Sequence, residues 1–245
     1  MIKSNLLLSV LLICSFSSIA AESIRLESGN NRNTLIELYT SEGCSSCPPA
    51  EEYLNKLKND KNLWKKWVPI ALHVQYWDYI GWKDHYATKE NGLRQSRYAN
   101  IKRAKTVYTP AFMVNGANWR RGIFSSSLPD ESSLAGNLIV TLKGKSIKAS
   151  YHSRKKSSLK LNVAVLGMDL TSTIERGENE GRTAKHEFVV VGFDDLESND
   201  LKWDMKLPKL HYKDAKKYAL AIWVSEGNNP TPIQAVGGLL PNYKP

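Results

Sequence analysis

The sequence predicts an α/β domain followed by an all-β, sandwich-like domain. Three observations point there. Residues 34–142 alternate strand-length apolar runs with stretches of helical spacing. Residues 145–245 hold short apolar runs separated by polar turns. The chain has 245 residues, 42% of them hydrophobic, enough for one large domain or two small ones. Fifteen glycines and ten prolines are ordinary counts, which excludes collagen-like and low-complexity chains.

The first 21 residues stand apart. Lys3 precedes an apolar run over 6–14, and Ile19, Ala20 and Ala21 follow. A positive start, about 7–15 apolar residues and small residues at a cut site make a secretory signal. The run is shorter than the roughly 20 residues of a spanning helix, and no later segment is apolar enough to span a bilayer. The expectation is a signal peptide (1–21) cleaved near Ala20 or Ala21, a periplasmic or secreted mature chain, and no stable membrane insertion.

The mature chain then divides into 22–144, with an insertion at 75–104, and 145–245. Residues 34–40 (TLIELYT) read as a buried strand. After Cys44–Pro49, a helix places Ala50, Tyr53, Leu54 and Leu57 on one face. Residues 67–74 form a second buried strand, and the aromatic, then charged, insertion 75–104 is mostly helical. Residues 112–115 are a third strand. Asn115-Gly116 signals a hairpin, so 118–124 returns antiparallel. Leucines 128, 134, 138 and 142, with Asp130 and Glu131 early, predict a helix over 127–142. Seven short strands follow, near 147–152, 159–166, 172–176, 186–191, 202–207, 218–225 and 233–237, the pattern of a β-sandwich.

Cleavage removes Cys14 and leaves Cys44 and Cys47, spaced C-x-x-C. Outside the cytoplasm disulfides persist, so this pair is a redox disulfide, a structural staple or half of a metal site. The pair sits between a strand and a helix start. There the helix dipole and unpaired amides favour a thiolate. Cys44, exposed at the tip, is the expected nucleophile on a disulfide, and Cys47 one turn on is the resolver. Ser45 and Ser46 lie between them. A zinc site built from cysteines alone is excluded because no further Cys survives. His73, His85, His152, His186 and His211 lack ligand-like spacing from the cysteines, so no metal site is assigned. The one metal alternative carried is Cu(I) held by reduced Cys44 and Cys47, with His73 or Met113 as third ligand.

The formal net charge is +10, but the cations are scattered and no nucleic-acid motif accompanies them. Nucleic acid is therefore not an expected partner. A protein or small-molecule disulfide, and a redox partner in the envelope, are. No organic cofactor is called for.

Residues 34–142 resemble a thioredoxin fold: strand, C-x-x-C at a helix start, strand, then Thr109-Pro110 opening a hairpin strand. The resemblance implies a cis Pro110 beside the disulfide, with Thr109 and Pro110 positioning substrate. It also implies a buried carboxylate near Cys47; Glu37 matches with a one-residue gap, and the alternative is a solvent-facing Glu. The segments IELYTSEGCSSCPPAE, HVQYWDYIGWKD, VYTPAFMVNG and RGENEGRT are similar to a family of bacterial secreted thioredoxin-like proteins that carries a domain-of-unknown-function label. Tyr76, Trp77, Tyr79 and Trp82, after the second strand, form a client surface or a small local core. The charged turn 176–182 is a solvated hairpin or a docking loop. Function is read as thiol–disulfide exchange, or Cu(I) handling, or non-enzymatic binding by the β-domain with the cysteines as a staple.

Overall fold

The computed structural model describes residues 23–120, 127–129, 133–153 and 158–245. The expected signal peptide lies outside them. The first described element is a strand not foreseen in the sequence, β1 (Ser23–Glu27). Then come β2 (Thr34–Thr40), α1 (Pro48–Lys56), β3 (Trp67–His73), a 3-10 helix (Gln75–Ile80), α2 (Lys89–Asn100), β4 (Ala111–Val114) and β5 (Ala117–Trp119). The remainder is strand: β6 (Asn137–Lys143), β7 (Ser146–His152), β8 (Leu159–Met168), β9 (Leu170–Thr173), β10 (Thr183–His186), β11 (Val189–Ser198), β12 (Lys202–Lys206), β13 (Lys217–Ser225) and β14 (Pro232–Leu240).

Individual strands stand close to their expected places. β2 and β3 are parallel, and β4 runs antiparallel to β2. The Asn115-Gly116 turn has φ of 49° and 79°, the two left-handed positions of a type I′ hairpin, and joins β4 to β5. In the third case the sequence misleads. Residues 137–143 are strand, not the end of a helix. Leu138, Val140 and Leu142 are buried while the residues between them are partly exposed, and the β-branched run Ile139-Val140-Thr141 favours that alternation. β6 sits between β1 and β7 in a four-stranded antiparallel sheet, β1-β6-β7-β12.

The larger correction concerns architecture. An α/β thioredoxin-like domain followed by a sandwich is not what forms. Among the described residues the chain is mostly strand, with two α-helices, and one eight-stranded sheet runs β14-β13-β8-β11-β3-β2-β4-β5. It takes strands from both sides of residue 144. The joint is β11 on β3, parallel, with Val189 opposite Ala71 and the Ala71 amide bonded to the Phe188 carbonyl (2.8 Å). The physical reason lies in β3, whose residues are all buried. Its open edge would expose an apolar strand with unpaired amides, and β11 covers it. A two-stranded β10-β9 ribbon branches off just before that joint.

Side chains alternate across β2, and this sorts the helices. Thr40 faces α1, where its hydroxyl meets Glu51 Oε1 at 2.5 Å. Glu37 points to the other face, toward α2. Arg94 of α2 holds it by a bidentate pair (2.8 and 3.0 Å), and the Tyr39 and Tyr98 hydroxyls donate to the same carboxylate (2.8 and 2.5 Å). Arg94 also donates to the Pro230 carbonyl (2.9 Å), which lies at the same distance from the Tyr98 hydroxyl, and the guanidinium stacks 4.9 Å over buried Trp223. The network pins α2 and the loop before β14 to the sheet.

Removing one partner of such a pair strands a buried charge, at a cost of about 3–5 kcal/mol. Arg94→Ala should lower the urea unfolding free energy by that amount, and pairing it with Glu37→Leu should restore much of the loss. A cost below about 1 kcal/mol for Arg94→Ala would show that the network does not hold α2.

Candidate functional site

Cys44 and Cys47 are disulfide-bonded, with Cα atoms 5.4 Å apart. The loop between β2 and α1 folds tightly: the Cys44 amide bonds Ser41 O, the Cys47 amide bonds Cys44 O, and the Ala50 and Glu51 amides bond Cys47 O. Cys47 caps α1, and Pro48 and Pro49 fill its first turn. The prolines suit that position but remove two amide donors. The helix start therefore offers a thiolate fewer hydrogen bonds than the motif alone suggests, leaving chiefly the helix dipole.

Cys44 is not exposed at a tip. Both cysteines are fully buried, while Ser45 and Ser46 face solvent. Two segments cover the motif. Ile80 and Trp77 of the insertion close over Gly43. The turn between β9 and β10 lies across the loop. The Asn179 side-chain amide donates to Glu42 O (2.7 Å) and Cys44 O (3.0 Å), and the Ser45 amide donates to Glu178 Oε2 (3.2 Å). Gly177, at φ 82°, shapes the turn and packs on Ile80 and Trp82. The 176–182 turn keeps Arg176, Glu178, Glu180, Gly181 and Arg182 exposed, while its buried Asn179 bonds the cysteine loop.

Thr109-Pro110 is cis. Ser46, Pro49, Tyr53, Tyr108, Pro110 and Trp119 line one groove of about 330 Å³ beside the motif. Trp77 Nε1 donates to Thr109 Oγ1 (2.7 Å), and its ring stacks on exposed Tyr79. Tyr76 bonds Gln95 (3.1 Å), and Trp82 Nε1 bonds Glu42 Oε2 (2.7 Å). The two tryptophans hold the cover in place, while Tyr79 stays outside. Glu37 is on the α2 face, with its oxygens engaged by Arg94, Tyr39 and Tyr98, so the carboxylate role expected of it near Cys47 is not supported. Met113 Sδ engages Asn118 Nδ2 (3.7 Å), and His73 Nδ1 pairs with Asp84 Oδ2 (2.7 Å); the donor cluster that the fold assembles around His73 contains no sulfur.

Behind the cysteine loop, on the α1 face, lies a polar cluster that sequence spacing did not assemble. His186 ends β10 and bonds Glu51 Oε2 through Nδ1 (2.7 Å) and Glu42 Oε1 through Nε2 (3.2 Å). Burial disfavours its imidazolium, but the charge of Glu51 and the bonds to both carboxylates outweigh that and push its pKa up to about 10. Glu42 moves the opposite way: burial opposes ionisation, and the His186 bond overcomes it. Asp84 accepts from His73 and from the Glu42 amide (2.9 Å). Spacing along the chain presents His73 and His186 one at a time, and gives no signal for Glu51 or Asp84. Their partnership depends on the β11–β3 joint, which no local pattern encodes.

Fold and site together define a mostly-β protein with a covered C-x-x-C disulfide over a buried His–carboxylate cluster. The chain belongs to the family described as protein of unknown function (DUF1223), whose model matches residues 35–225. Comparison with curated proteins gives no match. Among solved structures it is similar to protein AGR_C_4864 from Agrobacterium tumefaciens, with a TM-score of 0.58 and 21% identity over 84% of this chain and 93% of that one. It is also similar to HBP35 of Porphyromonas gingivalis, with a TM-score of 0.57 and 15% identity over 89% of this chain and 78% of that one. At these identities the likeness concerns fold alone.

The Asn179 side-chain amide makes two of the bonds that hold the turn down. Asn179→Ala should speed reduction of the Cys44–Cys47 disulfide by dithiothreitol several-fold, read by timed thiol alkylation. An unchanged rate would mean that the turn does not control access.

Proposed function

We propose that the protein is an exported thiol–disulfide oxidoreductase whose oxidised form is closed by its own β9–β10 turn. One observation carries the reading: the two cysteines outside the leader-like residues 1–21 are bonded to each other at the start of α1, beside the groove that cis Pro110 lines. The leader-like residues 1–21 support a periplasmic or secreted site of action. Exposed Ser45 and Ser46 leave a solvent-facing strip between the buried sulfurs and the groove.

Once the turn lifts, the chemistry needs no further group. In the reduced protein the Cys44 thiolate attacks a substrate disulfide, and one substrate sulfur leaves as a thiolate. The Cys47 thiolate then attacks Cys44 in the mixed disulfide, which re-forms the protein disulfide and releases the second substrate thiol. Two electrons pass from the protein to the substrate. An envelope thiol partner returns them. The groove accepts an extended apolar stretch of the client beside Pro110, with Tyr53 and Trp119 as its walls.

A second reading rests on the full burial of Cys44: the disulfide is a staple, and the protein binds rather than catalyses. The two diverge on reduction. As an oxidoreductase, the reduced protein keeps its fold and turns over insulin or glutathione disulfide, and Cys44→Ser abolishes turnover. As a staple, reduction destabilises the fold and Cys44→Ser leaves the same background rate as wild type. Equal rates for the two proteins would discard the proposal.

A further inference from the structure

The cluster behind the cysteine loop has the construction of a metal centre. Its donors come from three elements: Glu51 from α1, His73 from the end of β3 and His186 from the end of β10. One ligand atom of each lies within 4.8 Å of the other two. Zinc donors at bond lengths of about 2.0–2.1 Å stand about 3.3 Å apart, so small side-chain rotations close the site.

Each donor is oriented from behind. His73 uses Nδ1 on Asp84 Oδ2 (2.7 Å), which leaves Nε2 fully buried and without a partner. His186 bonds Glu51 through Nδ1 (2.7 Å) while Glu42 holds Nε2 (3.2 Å). Glu51 offers Oε2, and Thr40 Oγ1 holds its Oε1 (2.5 Å). Carboxylate–histidine–metal relays have this form, with the far ring nitrogen fixing the tautomer and aim of the near one. Tyr86 packs edge-on against both imidazoles, with ring centroids 5.3 and 5.4 Å away, and limits their rotation. Three carboxylates meet two imidazoles, so the cluster carries a carboxylate in excess. The buried His73 Nε2 has no hydrogen-bond partner, a cost that a bound cation relieves.

We propose that His73 Nε2, His186 Nδ1 and Glu51 Oε2 bind a first-row divalent cation, best matched by Zn²⁺. Two nitrogens and one carboxylate oxygen suit that ion. The cation takes the place of the His186–Glu51 hydrogen bond, and the proton shared in that bond is released to solvent. Three protein ligands leave a coordination position open. Glu51 and His186 also line a cavity of about 610 Å³ that gives the ion a way in. A bound cation ties α1, β3 and β10 together beneath the disulfide. This site is independent of the thiol chemistry proposed above, because no sulfur takes part.

The test uses the mature protein with its disulfide intact, so that thiols cannot contribute. Zn²⁺ is titrated against a chromophoric chelator, and thermal unfolding is followed with and without the ion. One Zn²⁺ per chain should bind tighter than about 10 µM and raise Tm by several degrees. His186→Gln and His73→Gln should each weaken binding at least about 100-fold, and Asp84→Asn by about 10–100-fold. His85→Gln, on the surface, and the Cys44→Ser/Cys47→Ser double variant should bind as wild type does. Absence of saturable binding by the wild type overturns the site, whether or not the variants fold. So does undiminished affinity in His186→Gln, or an equal loss in His85→Gln. If instead the metal site holds and Cys44→Ser does not affect disulfide turnover, only the oxidoreductase reading falls.

Discussion

The parallel joint between β11 and β3 is the constraint on which the rest depends. A strand buried along its whole length cannot end a sheet, so β3 must be covered on its open side. Filling that edge with β11 fixes where the chain immediately before it lies. The β9–β10 ribbon ends three residues before β11, and its turn lands on the cysteine loop. Its last residue, His186, arrives between Glu51 and Glu42. A packing requirement in the core thus delivers both the cover of the disulfide and the second imidazole of the cluster.

The two faces of β2 divide the polar chemistry. On one side Glu37 is fully engaged by Arg94 and two tyrosines, a closed network whose role is to hold α2. On the other side Thr40, Glu51, His186, Glu42, Asp84 and His73 form a chain of bonds that is closed everywhere except at one imidazole nitrogen. Buried polar networks are stable when every member is satisfied. The first network meets that condition; in the second, His73 Nε2 is buried without a hydrogen-bond partner.

Much of the fold was legible residue by residue. The apolar runs of β2 and β3 and the Asn115-Gly116 hairpin are local signals, and local signals decide local structure. The helix expected over 127–142 was misread because leucines four apart at 134, 138 and 142 mask a period-two pattern through Val140. The division into an α/β unit and a sandwich failed for a different reason. Pairing between β3 and β11 joins residues more than a hundred positions apart, and neither strand names its partner. The site divides the same way. Cys44, Cys47 and Pro110 follow from motif and order, whereas the burial of Cys44 and the meeting of His73 with His186 follow from that pairing. Glu37, expected either near Cys47 or facing solvent, is buried on the α2 face, opposite the one that Thr40 presents to α1.

The central claim is that the β9–β10 turn sits on the cysteine loop of the oxidised protein. Proton NMR of the folded chain tests it directly. The account predicts nuclear Overhauser contacts from the Asn179 side-chain amide to the backbone around Glu42–Ser45, and slow solvent exchange of that side-chain amide. Exchange at the rate of a free loop, with no contact between the two segments, would contradict it.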